Sequence, residues 1–153
     1  MKKKKIINSF KLTVPAISRN ESYCRSIAVA FVAQCDPTVE EIADIKTVMS
    51  EAVTNSIVHA YKDYGDEKKK LIYISCELYE GNIFRFTVKD KGCGIKNIEE
   101  AMQPLYTTDA ENERSGMGLP IMKTFSDTFK IRSVIDKGTT VVFTKKVNVA
   151  DGQ

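Results

Sequence analysis

Two stretches with alternating apolar and polar side chains constrain the fold of this 153-residue chain more than any other feature. LIYISCEL (71–78) and IFRFTVKD (83–90) both alternate with a period of two, which is typical of strands with one buried face. The short connection Glu80-Gly81-Asn82 joins them. The pattern therefore predicts a β-hairpin, in which the two strands pair antiparallel.

The remaining periodic segments predict three further strands and four helices. FKIRSVI and TTVVFTKKV, joined at Asp136-Lys137-Gly138, indicate a second hairpin near the end of the chain. Ser-x-x-Glu at 18–21 and Thr-x-x-Glu at 38–41 are capping boxes, each of which predicts the start of a helix. The other predicted elements are a strand at 6–14, helices at about 18–34 and 38–60, a short helix near 97–102 and a helix from Pro120 to about Asp127.

The order β-α-α-β-β-loop-α-β-β predicts one α+β domain that spans residues 1–153. Hairpin-connected strands with helices between them favour a two-layer α/β sandwich, with a mixed, mostly antiparallel sheet and helices on one face. A doubly wound parallel sheet is not expected. The polar, non-periodic segment 103–118 is too long for a simple connection in a compact domain, so we expect it to be functional or mobile.

Composition and charge exclude several classes of protein. The formal net charge is +3, but four lysines at 2–5 account for more than this excess, and without them the balance is −1. We therefore expect residues 1–5 to be a basic, disordered tail, and we do not expect direct nucleic-acid binding. No apolar run is long enough for a signal peptide or a membrane span. One histidine and four scattered cysteines argue against a zinc site and predict reduced thiols in the cytoplasm.

The helix at 50–60, SEAVTNSIVHA, carries an unusual line of polar side chains. Glu51, Asn55 and His59 recur every four residues, so each lies only about 40° around the helix from the one before. An isolated Glu-x-x-x-Asn pair is most often a solvated helix flank. The alternative is a magnesium-nucleotide site, because Mg²⁺ takes oxygen ligands from one or two protein groups and from substrate phosphates. His59 is better explained as a packed or hydrogen-bonded side chain than as a ligand.

Two glycine-bearing segments fit either simple turns or a nucleotide site. Asp90-Lys91-Gly92-Cys93-Gly94 follows a predicted strand, where Asp90 would accept a hydrogen bond from an adenine amino group. Ser115-Gly116-Met117-Gly118 precedes a predicted helix, where unpaired N–H groups would attract phosphate. Thr139 lies in a hairpin turn and would place its hydroxyl beside Asp90 if the two strands are neighbours.

The order of these segments resembles the N, G1 and G2 boxes of the Bergerat-fold ATPases, the superfamily of gyrase, Hsp90, histidine kinases and MutL. The resemblance spans roughly residues 10–145. Within it, FVAQCDPTVEEIADIKTVMSEAVTNSIVHAY and IEEAMQPLYTTDAENERSGMGL are similar to the small anti-sigma factor serine kinases, and most similar to their sporulation branch.

The resemblance implies a role for each matching residue. Asn55 would hold Mg²⁺ against the ATP phosphates, and Glu51 would act as the catalytic base. Asp90 would bind the adenine, with Gly92, Gly94 and Thr139 supporting the pocket. Segment 103–118 would be the ATP lid, in which Arg114 would reach the terminal phosphate. The other nucleotide-binding residues of the lid would be Thr107, Thr108, Ser115, Gly116, Met117 and Gly118. Arg25, on the first helix, would contact partner proteins.

The resemblance also implies an activity and its partners. The protein would bind and inhibit a sporulation sigma factor of the sigma F type and phosphorylate an anti-anti-sigma factor on serine. It would use Mg-ATP, form a homodimer and contact no membrane. Two alternatives stay open: a stress-response anti-sigma-B type kinase, and a module that sequesters sigma factor and binds ATP without kinase activity. Glu51 argues against the second alternative, because holding a nucleotide does not require that carboxylate.

Two other classes of the superfamily fit less well. A histidine kinase would need a phosphoacceptor histidine on a separate helical domain, and the only histidine here lies in the predicted N-box helix. A gyrase-, Hsp90- or MutL-like ATPase would need additional domains to use its ATP cycle.

Overall fold

The computed structural model describes residues 3–103 and 118–148 of the chain. Five strands and four α-helices follow one another in the predicted order. The strands are β1 (Ile6–Pro15), β2 (Leu71–Tyr79), β3 (Ile83–Asp90), β4 (Thr128–Val134) and β5 (Gly138–Lys146). The helices are α1 (Arg19–Val32), α2 (Val39–Asn55), α3 (Ile98–Ala101) and α4 (Gly118–Thr124).

The strands form one sheet in the order β1-β2-β3-β5-β4, and each of the four pairings is antiparallel. Both predicted hairpins, β2–β3 and β4–β5, are confirmed. The prediction of a mixed sheet was wrong for the residues that the structure describes, since these contain no parallel pair. The reason is that α1 and α2 return the chain so that β2 also runs antiparallel to β1.

The helices cover one face of this sheet, as predicted. Three phenylalanines from β3 and β5, Phe84, Phe86 and Phe143, are almost fully buried beneath them. Apolar residues of α1 and α2, among them Val32, Ile45, Val48, Met49 and Val53, are equally buried and complete the core. Helix α2 lies between α1 and α4 and contacts both. It is therefore the central element of the helical layer, which fixes its position relative to the sheet.

One of the two predicted capping boxes forms and the other does not. At the start of α2, the Thr38 hydroxyl accepts from the Glu41 N–H at 3.1 Å, and Glu41 Oε2 accepts from the Thr38 N–H at 2.9 Å. Ser18 instead has helical backbone angles and makes no side-chain cap, so the prediction of a box there was wrong. A cap residue needs an extended backbone to turn its side chain toward the helix N–H groups.

Three helix ends differ from the sequence prediction. Helix α1 ends at Val32 and continues only as a 3₁₀ turn, Ala33–Cys35, before Asp36 adopts a left-handed conformation. Helix α2 becomes a π-helix, Ser56–Ala60, rather than continuing as an α-helix. Helix α4 starts at Gly118 and ends at Thr124. It cannot reach the predicted end at Asp127, because the Asp127 N–H donates to the Thr144 carbonyl of the sheet at 2.9 Å.

Candidate functional site

A cavity of about 340 Å³ lies between the helical layer and the sheet. The lining residues come from the end of α2 and its π-helical extension, from β3 and the segment after it, from the start of α4 and from β4 and β5. Among those predicted from sequence are Asn55, Asp90, Gly94, Gly118 and Thr139. The fold therefore brings the three separate motifs of the sequence to one cavity.

Asp90 is a buried carboxylate at the end of β3, with 5% of its surface exposed. Its Oδ1 accepts two backbone hydrogen bonds, from Gly92 N–H at 3.0 Å and from Thr139 N–H at 3.2 Å. Its Oδ2 accepts one from the Ser56 hydroxyl at 3.1 Å. Since each carboxylate oxygen offers about two lone pairs, Oδ1 is saturated and Oδ2 keeps one acceptor position. This position suits a ligand that donates one hydrogen bond.

Burial raises the pKa of Asp90 above its usual value, because the surrounding protein disfavours the charged form. The hydrogen bonds from Gly92, Ser56 and Thr139 act in the opposite direction and favour the carboxylate. Ionisable groups with a perturbed pKa concentrate at functional sites, which makes Asp90 a candidate functional residue.

Thr139 supports Asp90 differently from the prediction. β3 and β5 are neighbours, as the prediction required. The hydrogen bond to Asp90 comes from the Thr139 backbone N–H, whereas the Thr139 hydroxyl pairs with the Ser133 hydroxyl at 2.8 Å. Ser133 Oγ also accepts from the Ile95 N–H at 2.7 Å. Register within the sheet, rather than side-chain chemistry, thus positions Thr139.

The segment after Asp90 contacts the end of the π-helix. A Cβ added at Gly92 would lie 2.1 Å from the Ala60 carbonyl oxygen, so only glycine allows this close approach. The same carbonyl accepts from the Cys93 N–H at 2.7 Å. Gly92 therefore packs against the helix, while Gly94, with a φ of 77°, lines the cavity. The tight junction fixes Asp90 relative to α2.

Glu51, Asn55 and Gly118 form a second group, in which Asn55 and Gly118 line the cavity and Glu51 lies beside Gly118 without lining it. A Cβ added at Gly118 would lie 3.1 Å from Glu51 Oε2 and 3.4 Å from Asn55 Oδ1. Glu51 and Asn55 both lie on α2, one turn apart, and both are partly exposed. The structure thus places the start of α4 directly against the two polar residues of α2. We call Asp90, Ser56 and Thr139 the base subsite, and Glu51, Asn55 and Gly118 the phosphate subsite.

His59 lines the same cavity, whereas Arg25 does not. His59 belongs to the π-helix and lines the cavity, and its backbone carbonyl accepts from the Cys93 thiol at 3.4 Å. Arg25 lies on α1 and does not line the cavity. Its side chain is 38% exposed and pairs with Glu21 at 3.6 Å.

Sequence reasoning missed three residues that hold the base subsite. Ser56 contacts Asp90, Ser133 contacts Thr139, and the Tyr61 hydroxyl accepts from the Lys91 N–H at 2.8 Å while donating to the Leu71 carbonyl. Only Ser56 left a signal in the sequence. It is a polar residue within the apolar stripe of its helix, and a buried hydroxyl needs a hydrogen-bond partner.

Six predicted site residues, Thr107, Thr108, Arg114, Ser115, Gly116 and Met117, lie outside the described residues.

Within 3–103 and 118–148, no three His, Cys, Asp or Glu side chains lie close enough together to hold a metal ion. Over the same two ranges, every helix is too short or too polar to span a membrane. All four cysteines are free thiols.

Comparison with known proteins gives the family. A sequence profile described as a histidine kinase-like ATPase domain matches residues 14–145. The chain is 49% identical over 140 residues to an anti-sigma F factor of Geobacillus sp. (strain WCH70), covering 92% of this chain and 93% of that protein. It is 47% identical over 141 residues to an anti-sigma F factor of Clostridium perfringens, covering 92% and 98%. The chain belongs to the anti-sigma F factor family.

The fold agrees with that of a solved structure of related architecture. The structure of the RsbU and RsbW domains of a Mycobacterium tuberculosis protein superimposes with a TM-score of 0.66 over 92% of this chain and 32% of that chain, at 19% identity. As an anti-sigma F family member, the chain contains an ATP-binding domain of the histidine kinase-like type. The predicted two-layer Bergerat fold is thereby confirmed.

Proposed function

We propose that this protein binds and inhibits a sporulation sigma factor of the sigma F type, and phosphorylates its anti-anti-sigma factor on serine with Mg-ATP. The single observation that carries the proposal is that a buried acceptor, Asp90, lines one cavity together with Asn55 and Gly118, and that Glu51 lies beside Gly118. This combination offers one place for a nucleobase and another for its phosphates. The names of the related proteins support the sigma-binding part of the proposal.

The base subsite would bind adenine. The 6-amino group of adenine is a hydrogen-bond donor, and Asp90 Oδ2 keeps one acceptor position for it. The apolar residues Ala52, Val88, Ile131 and Val141 line the same cavity and would contact the flat ring. The buried, pre-oriented carboxylate would therefore select the base, and Gly92 would hold the segment in place through its contact with Ala60.

The phosphate subsite would hold the triphosphate with Mg²⁺. The Asn55 amide oxygen is a hard oxygen ligand of the type that Mg²⁺ accepts, and this ion commonly takes only one or two protein ligands plus substrate phosphates. When bound, the ion would neutralise charge on the phosphates during transfer. Gly118 leaves room beside Asn55 and Glu51 that any side chain would reduce.

Glu51 would act as the general base for the serine hydroxyl. Phosphoryl transfer depends mainly on positioning and on charge stabilisation, and a positioned base adds typically ~10²–10⁴-fold. Because Glu51 and Asn55 lie one turn apart on α2, their separation is set by the helix. Arg114 in the predicted lid would contact the terminal phosphate, and this role stays a prediction because Arg114 lies outside the described residues.

Arg25 would contribute to binding of the protein partners. Its guanidinium is partly exposed, and its distance of 3.6 Å from Glu21 exceeds that of a hydrogen bond. The exposed part of the guanidinium is therefore accessible to a partner protein. We further propose a cytoplasmic homodimer, supported by the free thiols and by Ile6 and Ile7, which are exposed on β1 at one edge of the described sheet.

A transfer assay tests the proposal. The protein is incubated with γ-labelled ATP, Mg²⁺ and the purified anti-anti-sigma factor, and binding to sigma factor is measured in parallel with and without ATP. We expect label on one serine of the substrate and nucleotide-dependent binding of sigma factor. ATP-dependent sigma binding without any transfer would instead support the sequestering module. Label on histidine would contradict serine specificity.

A further inference from the structure

Ser56 is the first residue of the π-helix and is 4% exposed. Its hydroxyl donates to Asp90 Oδ2. The sequence motifs give Ser56 no role, and the proposed function gives its hydroxyl none. We propose that Ser56 is a positioning residue that sets the base selectivity of the site, so that the site accepts 6-aminopurine nucleotides and rejects 6-oxopurine nucleotides. This inference rests on the proposed nucleotide-binding function.

The direction of the Ser56 hydrogen bond follows from the distances. Two acceptors lie near its single proton: Asp90 Oδ2 at 3.1 Å and the Ala52 carbonyl at 3.5 Å. The carboxylate is both closer and charged, and hydrogen bonds to charged acceptors are the stronger ones. The Ser56 proton is therefore committed to Asp90.

The other donors to Asp90 are committed as well. The N–H groups of Gly92 and Thr139 both point to Oδ1. All three donors that contact Asp90 thus satisfy the carboxylate, and the carboxylate presents only an acceptor to the cavity. A 6-amino group matches this acceptor, whereas a 6-oxo group would place a carbonyl oxygen against a carboxylate oxygen. A site built to receive a hydrogen bond rejects an analogue that lacks the donor.

Removal of the Ser56 hydroxyl would weaken both the binding of a 6-amino group and the rejection of a 6-oxo group. Oδ2 would lose its one protein partner and would no longer be held in a fixed direction. The buried carboxylate would also lose a donor that favours its charged form, so Asp90 would be protonated more readily. A protonated Asp90 can donate a hydrogen bond to a 6-oxo group, so the site would then bind 6-oxopurine nucleotides.

A matched control separates this effect from general support of the cavity. Ser133 also stabilises the base subsite, through Ile95, the Gly138 carbonyl at 3.2 Å and the Thr139 hydroxyl, but it makes no hydrogen bond to Asp90. Loss of the Ser133 hydroxyl should loosen the cavity for every nucleotide. Loss of the Ser56 hydroxyl should change the preference between nucleotides.

The experiment measures dissociation constants of ATP and inosine triphosphate, with Mg²⁺, for the wild type, Ser56→Ala, Ser56→Thr and Ser133→Ala by calorimetry. We expect Ser56→Ala to weaken ATP binding about tenfold, the size of a lost hydrogen bond to a charged group, while binding of inosine triphosphate is unchanged or improved. Ser56→Thr keeps the hydroxyl and should restore most of the preference. Ser133→Ala should weaken both nucleotides equally.

Two results would overturn the inference. One is a ratio of ATP to inosine triphosphate affinity in Ser56→Ala within twofold of the wild type. The other is the same change of ratio in Ser133→Ala. If Ser56→Ala does not fold, as judged by its thermal melt, Ser56→Cys retains similar size with a weaker donor and should show the same loss of preference. A wild type that binds neither nucleotide would overturn the proposed function itself.

Discussion

The base subsite and the phosphate subsite are built in different ways. Asp90 is buried and held by donors from three separate parts of the chain, the π-helix, the segment after β3 and the start of β5. In the phosphate subsite, Glu51 and Asn55 come from one helix and face a single glycine, Gly118. The base subsite is therefore a product of tertiary structure, whereas the spacing of the two polar groups in the phosphate subsite is a property of one helix.

This difference leads us to expect a separation of effects. Changes in the base subsite should alter nucleotide affinity or protein stability, because the group that selects the ligand is also part of the buried core. Changes in the phosphate subsite should alter Mg-ATP binding or phosphoryl transfer with little effect on folding, because its side chains are partly exposed. Three substitutions and a change of pH test this separation.

Glu51→Gln should produce the largest effect. The substitution preserves size and removes the proposed base, so we expect serine phosphorylation to fall about 10²–10⁴-fold. Affinity for ATP should change less than about threefold, since Asn55 and Asp90 are intact. Single-turnover transfer and calorimetry measure the two quantities. The matched control is Glu40→Gln, an exposed carboxylate in the first turn of the same helix, which should leave transfer unchanged. Equal transfer by wild type and Glu51→Gln would contradict the assignment.

Asp90→Asn should separate affinity from stability. The amide oxygen can still accept from Gly92 and Thr139, and its NH₂ group can donate to Ser56, so the fold should keep its hydrogen bonds. The acceptor for adenine is lost, and we expect ATP affinity to fall about 10- to 100-fold. The free energy of unfolding should not decrease, because a buried charge is removed.

The control for this substitution is Asp63→Asn, an exposed residue that lines the same cavity. It removes the same charge without a role in the base subsite, and ATP affinity should stay within about threefold. Calorimetry and chemical denaturation report the two quantities for both variants. If Asp90→Asn lost as much unfolding free energy as binding free energy for ATP, affinity and stability would not be separable at Asp90, which would contradict the prediction.

Gly92→Ala tests the junction behind the base subsite. The new Cβ would lie 2.1 Å from the Ala60 carbonyl oxygen, so backbone must move. Overpacking of this kind typically costs about 1–3 kcal/mol of unfolding free energy. Gly65→Ala is the matched control, because a Cβ there meets no atom within 4 Å. Urea denaturation should show a clear loss for the first variant only, and comparable values for both would disprove the close approach.

Acidification should have the smallest effect near neutral pH, and it acts in opposite directions on two quantities. Because burial raises the pKa of Asp90, the folded protein takes up its proton at a higher pH than the unfolded chain. The contribution of Asp90 to the unfolding free energy is therefore fully present below its unfolded pKa and is lost as pH rises through the folded pKa. ATP affinity should instead fall as pH drops through the folded pKa, because the acceptor is protonated.

Titration calorimetry between neutral and acidic pH measures this dependence. Asp90→Asn has no titrating group at this position, so the part of the pH dependence due to Asp90 should be absent from it. Identical pH profiles in the two proteins would contradict the assignment of the titrating group.

Local patterns predicted the elements well where the chain itself supplies the interactions. The two hairpins, the Thr38–Glu41 capping box and the position of Glu51 beside Asn55 all depend on residues a few positions apart. Ser18–Glu21 shows the limit of this approach. It has the same pattern as Thr38–Glu41, but Asn20 donates to the Pro15 carbonyl and Glu21 pairs with Arg25, so the first helix begins without the box.

The π-helix is a second feature that the sequence did not reveal. The periodicity of 38–60 fits a single α-helix, yet the last turn widens at Ser56. In this form the Ala60 carbonyl accepts from Cys93, whose sequence position is more than thirty residues away. Such π turns occur frequently at functional sites, and they depend on contacts that no local pattern contains.

Local sequence was enough to predict the order of the elements, the family resemblance and the spacing of Glu51 and Asn55, because hydrophobic periodicity and helix geometry act over a few residues. The hydrogen bonds that hold Asp90 depend on contacts between distant parts of the chain. The donors at Ser56 and Thr139 lie 34 and 49 positions away in the chain. They meet Asp90 because β3 pairs with β5 and α2 packs across the sheet. A buried carboxylate must gather its partners through the fold, since the cost of burying it unpaired is too high.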